Sequence, residues 1–179
     1  MPRYVALLRS VNVSGHGRIA MAELKESFAS LGYTDVVTYI QTGNVLFGSP
    51  SKSAARLGAA IERQLAADFG HSPAVILRTV PELLRIGSSS PFPAQGADPG
   101  RHHVTFLAQA PSRARLAALQ LPSSRRDELV IDGREVYVHT PDGYAETKFT
   151  GTFLERHLGV VSTTRNWNTV TKLGALAGR

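Results

Sequence analysis

The sequence predicts an α+β protein of two ferredoxin-like (βαββαβ, α/β plait) halves in tandem, followed by a C-terminal helix. Three observations carry this. Strand-like and helix-like apolar patterns alternate in the order β-α-β-β-α-β, and that order occurs twice along 179 residues. Between the two rounds, residues 87–101 (GSSSPFPAQGADPGR) are dominated by Gly, Ser and Pro and lack periodicity. Each round holds a tight turn between two strand-like runs, at Thr42, Gly43 and Asn44 in the first and at Asp132 and Gly133 in the second. The expected boundaries are residues 1–80 for the first half, 81–101 for a linker with a short helical turn opened by Pro81, and 102–179 for the second half with its closing helix.

In the first half, residues 4–9 (YVALLR) are rich in strand formers, and residues 11–19, with Ser14, Gly15 and Gly17, read as a loop. Met21, Leu24, Phe28 and Leu31 recur at three- and four-residue steps, which puts them on one helical face, and Gly32 stands where helices end. Residues 35–41 and 45–48 form the hairpin strands. Leu57, Ile61, Leu65 and Phe69 mark a second helix closed by Gly70, and residues 74–80 (AVILRTV) a fourth strand.

The second half repeats the order. Residues 102–108 give a strand and 112–120 a short helix; residues 128–131 and 135–139 flank the strongest hairpin signal in the chain. Phe149, Phe153 and His157 space out a helix ended by Gly159, and residues 160–164 read as the last strand. A tail helix starts near Asn166 or Asn168 and carries Val170, Leu173 and Leu176. The halves share order, not sequence identity.

Composition narrows the chemistry. The absence of cysteine excludes disulfides, thiolate metal sites and cysteine nucleophiles. The N-terminus lacks a signal-peptide pattern and no apolar run approaches the ~20 residues of a membrane span, so the expectation is a cytoplasmic protein with no membrane partner. A net charge of +6 and a pI near 10.1 favour acidic partners, yet the charge is spread along the chain, and the excess of arginine over lysine is read first as the bias of a GC-rich genome and only then as phosphate recognition. His102 and His103 are adjacent in a strand and point to opposite faces, and no metal-ligand spacing occurs, so neither a metal nor a cofactor is expected. No nucleophile elbow or paired carboxylates stand out, and catalytic residues stay unassigned.

The βαββαβ path brings the loop leaving the first strand and the hairpin between the second and third strands to one end of the sheet, with the end of the second helix near His71. Arg9, Asn12, Ser14, His16, Arg18, Gln41 and Asn44 are therefore expected to line one polar rim. The stretches LLRSVNVSG (7–15), YIQTGNVLF (39–47), PDGYAETK (141–148) and TTRNWNTVTKL (163–173) resemble the bacterial domain-of-unknown-function family 1697, nearly end to end. The resemblance implies paired α/β plaits and brings with it no activity, cofactor or catalytic residue. Ser10 departs from it, standing where the family pattern has glycine.

Each candidate has a structural reading beside its functional one. The loop at residues 14–18 either cradles an anion on backbone amides or simply turns. Gln41 and Asn44 either read a polar ligand beside Arg9 and Asn12 or complete a hairpin. Arg165, Asn166, Trp167 and Asn168 either form an anion site with Lys172 and a stacking ring or cap and anchor the tail helix. Asp142 stands where it can cap a helix, and Lys148 is either a solvated surface charge or a phosphate contact. The leading expectation is a small anionic ligand such as a nucleotide or phosphate ester. A nucleic-acid-binding module and an interaction module that pairs through sheet edges are the alternatives, and the oligomeric state is left open.

Overall fold

The computed structural model describes residues 1–13, 15, 17–92, 98–123 and 126–178. The chain is α+β, with two four-stranded antiparallel sheets and six α-helices among the described residues. It divides into two compact units, Met1–Leu84 with Leu173–Arg179, and Arg85–Lys172. This differs from the sequence reading at both joins. The first unit extends past residue 80 to Leu84, and the chain's last residues group with it and not with the second. No helix of the described residues is long and apolar enough to cross a membrane.

The first unit contains β1 (Arg3–Leu8), α1 (Met21–Ser30), β2 (Thr34–Tyr39), β3 (Asn44–Gly48), α2 (Ala54–Phe69) and β4 (Val75–Thr79), with sheet order β2-β3-β1-β4. The expected helical faces are the buried ones: Leu24 and Phe28 from α1, and Leu57, Ile61 and Leu65 from α2. They close on Tyr4, Ala6, Leu8, Val45 and Phe47 from the sheet. Phe47 is the hub, its ring 4.7 Å from Tyr33, 5.3 Å from Phe28 and 5.7 Å from Tyr4. Burying each such side chain contributes about 1.5–3 kcal/mol.

The segment after β4, expected as a short turn and linker, is a longer helix, α3 (Val80–Ser88), whose Leu83 and Ile86 are buried. Its start is fixed by Glu82, whose Oε2 accepts from the Thr79 N–H at 2.7 Å and the Thr79 hydroxyl at 2.9 Å.

The second unit contains β5 (His102–Leu107), α4 (Arg113–Ala118), β6 (Glu128–Asp132), β7 (Glu135–His139), α5 (Gly151–Leu158) and β8 (Ser162–Asn166), with order β6-β7-β5-β8. Its last strand lies two residues later than the sequence suggested, and α6 (Trp167–Ala177) follows without a break. Two features hid this shift. Ser162 starts the strand with its N–H bound to Glu155 Oε1 at 2.8 Å, and the polar Thr163 and Arg165 are buried strand residues. In α5 the fully buried side chains are Leu154 and Leu158, while Phe153 and His157 are half-buried and stack on one another.

The sheet edges are guarded. Because Ala74 O bonds to β1, the N–H groups of Val75 and Thr79 face away from the sheet. Glu62 caps the first at 2.9 Å and Glu82 the second. Glu155 does the same for β8. Edge β2 is broken by a register shift between Thr34 and Val37, with Asp35 at φ 50°.

His102 and His103 do face opposite sides of β5. His102 lies 4.6 Å from the His139 ring and 5.4 Å from Phe92; His103 lies 4.3 Å from Tyr144. Burial, and then the neighbouring His102, push His103 down to about 4. Its Nδ1 and His102 Nε2 are buried without hydrogen-bond partners among the described residues.

Two predictions follow from this packing. A Cβ on Gly43 (φ 79°) would lie 2.8 Å from Leu8 Cβ and 3.4 Å from Val11 Cβ. Gly43→Ala should therefore lower unfolding free energy by about 2–4 kcal/mol in denaturant titration. Ser10 holds φ 57°, so Ser10→Gly should raise it by about 1 kcal/mol, strain relief outweighing the added chain entropy.

The histidines give the third. His103 is depressed below its free value of 6.5, so between pH 6.5 and 4 the unfolded chain binds a proton that the folded chain refuses. Its contribution is complete above pH 6.5 and is lost as pH falls toward 4. Melting temperature should decline across that window, and His103→Gln should flatten the decline.

Candidate functional site

The site is built by two loops of the first unit that chain direction brings to one end of its sheet. The Leu8 N–H donates to Gly43 O at 2.9 Å, and the Arg9 N–H to Ala74 O at 2.9 Å. Asn12 then stitches the loops together. Its Nδ2 donates to Gln41 O at 2.8 Å and Ile19 O at 2.9 Å, while its Oδ1 accepts from the Ile19 N–H at 2.9 Å. Asn12 itself sits at φ 55°, a region asparagine tolerates better than most residues.

Beside this clasp opens a recess of about 530 Å³ lined by Asn12, Gly15, Arg18, Ile19, Ala20, Glu23 and Gln41. Arg18, Glu23 and Gln41 are exposed, and among the described residues none of their side chains makes an ion pair or hydrogen bond. Ala20 is the N-cap of α1 and offers no side-chain bond to the first turn, whose N–H groups therefore lack the usual cap. Three non-glycine residues of these two loops hold positive φ: Ser10, Asn12 and Ile40, the last a β-branched residue at φ 48°.

The expected rim residues separate into frame and lining. Gln41 and Arg18 line the recess. Asn12 lines it too, but its amide is fully engaged in the clasp. Asn44 is fully buried, donating to Tyr39 O at 3.0 Å and Thr42 Oγ1 at 3.1 Å, so it completes the hairpin and does not face a ligand. Arg9 is half-buried at the end of β1 and is not among the described lining residues. Ser14 and His16 lie outside the described residues. Near His71, a Cβ on Gly17 would meet the imidazole at 3.7 Å, so the end of α2 does reach this loop. Ala20 and Glu23 escaped the sequence reading; the signal was a helix starting Ile-Ala-Met-Ala-Glu with no capping residue before it.

The second group of candidates lies in the other unit and is largely structural. Arg165 is 7% exposed, and its Nη1 donates to Thr163 Oγ1 at 2.7 Å and Thr164 O at 2.9 Å. Burial lowers its guanidinium to about 10. Asn166 is the cap of α6: its Oδ1 accepts from the Asn168 N–H at 2.9 Å, and its Nδ2 donates to Gly100 O at 3.0 Å. Trp167 is half-buried with its ring 6.5 Å from Tyr137, and Asn168 is exposed. Asp142 does not cap α5. It pairs with Arg126 at 2.6 Å, and Thr150 is the cap, accepting from the Phe153 N–H at 3.2 Å. Lys148 is exposed, its Nζ donating to Ser123 O at 3.4 Å. Among the described residues no group of three or more His, Asp or Glu side chains could hold a metal ion.

Comparison with solved structures finds the conserved bacterial protein SP0830 from Streptococcus pneumoniae, with a TM-score of 0.73 and 24% identity, covering 100% of this chain and 99% of that one. At that identity the likeness is one of fold. No curated protein matches the sequence. Residues 1–137 match the family described as "Protein of unknown function (DUF1697)". The matched span holds two of the four resembling stretches, at 7–15 and 39–47; those at 141–148 and 163–173 fall beyond it. Matched over most of its length, and over every described residue that lines the recess, the chain belongs to the DUF1697 family of proteins of unknown function.

Proposed function

We propose that the protein binds a small anionic molecule, such as a nucleotide or other phosphate ester, in the recess of its first unit, and that both units follow the ferredoxin-like plan. The fold reading is supported by the shared strand order, in which the first and third strands are central and every neighbour is antiparallel. The functional reading rests on one observation: Arg18 and Gln41, a guanidinium and an amide with no side-chain partner among the described residues, stand over a recess whose walls are locked together. A guanidinium offers forked donors that match phosphate or carboxylate oxygens. The volume lies within the range of small-molecule sites.

Backbone strain adds weight. Of the four non-glycine residues at positive φ among those described, three lie in the two loops that build this recess. Such residues persist where surrounding structure over-determines them, and they gather at ligand sites.

The competing readings find less to stand on. A nucleic-acid platform of exposed aromatics is not what the sheets present. Phe47 is core, Tyr137 is 4% exposed, Tyr39 is half-buried, and β3 is buried along its whole length. Edge pairing is opposed by the glutamate caps on β4 and β8 and by the bulge in β2.

Thermal unfolding with a panel of nucleotides and phosphate esters tests the proposal. A ligand at a hundredfold over its Kd should stabilise by about 2.7 kcal/mol, or roughly 5–10 °C for a chain of this size. Arg18→Ala should remove the shift, while Lys148→Ala, outside the recess, should keep it. Silence across the whole panel defeats the proposal.

A further inference from the structure

The recess carries charge of both signs. Arg18 brings a cation to its wall, and Glu23, at the third position of α1, brings a carboxylate. They form no ion pair with each other, and among the described residues neither has another side-chain partner. A carboxylate in the first turn suits the helix dipole by itself. What it does not suit is a ligand that is purely anionic, because like charges across a small recess repel.

A second observation concerns what lies beyond Glu23. The same residue lines a neighbouring recess of about 320 Å³ together with Glu26, Ser27, Ser30, Gln64 and Asp68. Asp68 accepts from Ser27 Oγ at 2.6 Å and from Gln64 Nε2 at 3.0 Å, bonds that favour its charged form and lower its pKa. Across Glu23, therefore, the surface passes from a recess of mixed charge to one whose described charged residues are all acidic.

We infer that the ligand is zwitterionic, an anionic ester or acid that also carries a protonated amine. This rests on the anion-binding reading above and adds the second contact. The phosphate or carboxylate lies against Arg18 and Gln41, and the ammonium group lies beside Glu23, toward Glu26 and Asp68. An amine there satisfies a carboxylate that a simple phosphate ester would leave opposed. It also lets the site favour such a ligand over an anion of the same kind that brings no partner for Glu23.

The probes are O-phosphoethanolamine and ethyl phosphate, which share the anion and differ in the amine. Each is titrated into the full ¹⁵N-labelled chain while the amide signals of Asn12, Ile19, Ala20 and Gln41 are followed. O-Phosphoethanolamine should bind about tenfold more tightly, the lower end of what a hydrogen bond between charged groups contributes. Glu23→Gln should erase that preference while leaving ethyl phosphate at least as well bound, and Arg18→Gln should weaken both. Both variants are at exposed positions, and an unchanged spectrum away from the recess verifies their fold. Equal binding of the two probes, with Glu23→Gln strengthening both, overturns the zwitterion and leaves the anion site standing. If neither probe moves the recess signals at millimolar concentration while a nucleotide does, the zwitterion again fails alone. If neither probes nor nucleotides move them, both readings fall together.

Discussion

The first unit depends on how closely the end of β1 approaches the β2–β3 hairpin. The contact is a backbone hydrogen bond, Leu8 N–H to Gly43 O, made at a point where Gly43 has no room for a side chain against Leu8. One such bond contributes only about 1 kcal/mol net. Its larger effect is geometric. With Leu8 fixed against Gly43, the loop that follows β1 must leave alongside the hairpin, and Asn12 is then within reach of both Gln41 O and Ile19 O. The recess is the space this clasp leaves beside the start of α1. A residue slip in the hairpin would turn its buried residues outward, so core packing and site geometry fix the same register.

Comparison of the two units shows what is scaffold and what is local. Arg78 in β4 pairs with Val5, and Arg165 in β8 pairs with Val104. Both arginines occupy the fourth position of their strand, and both are buried. Glu62 and Glu155, each on the helix before that strand, cap its first outward N–H. These paired features belong to the common skeleton. The connections differ. Residues 9–20 join β1 to α1, whereas β5 reaches α4 through residues 108–112, and the second hairpin turns on Gly133 and Arg134 alone. The recess lies where the β1–α1 connection and the first hairpin, both longer than their counterparts in the second unit, meet at one sheet end.

Much of this was legible from residue pattern. The helix stripes, the hairpins and the meeting of the two first-unit loops follow from apolar period and chain direction. Three things were hidden, each for a physical reason. The start of β8 was obscured because its buried residues include Thr163 and Arg165, polar types whose partners come from the fold and not from neighbours in sequence. The affiliation of the C-terminus was obscured because it is made by contacts far apart in sequence, among them Arg3 Nη1 donating to Ala177 O at 2.8 Å. The division of labour within the rim was obscured as well. Asn12, Asn44 and Gln41 look alike in a sequence, and only the hydrogen bonds show that two are held inside the frame.

That division is the strongest ground for a ligand. Asn12 and Asn44 have a full structural account, since each fills its bonds within the clasp or the hairpin, and Arg165 and Asn166 have one too. A side chain that is charged, exposed and without a partner among the described residues has no such account at the wall of a recess, and Arg18 and Glu23 are of this kind. Scattered on an open surface, such groups would be ordinary solvated charges. Here they stand beside two loops that hold Ser10, Asn12 and Ile40 at positive φ and that Asn12 joins with three hydrogen bonds. Holding strained loops in one arrangement costs about 1–3 kcal/mol for each such residue, and a solvated charge gains nothing from that arrangement. A bound molecule does, because it meets donors and acceptors already in place and need not order them on arrival.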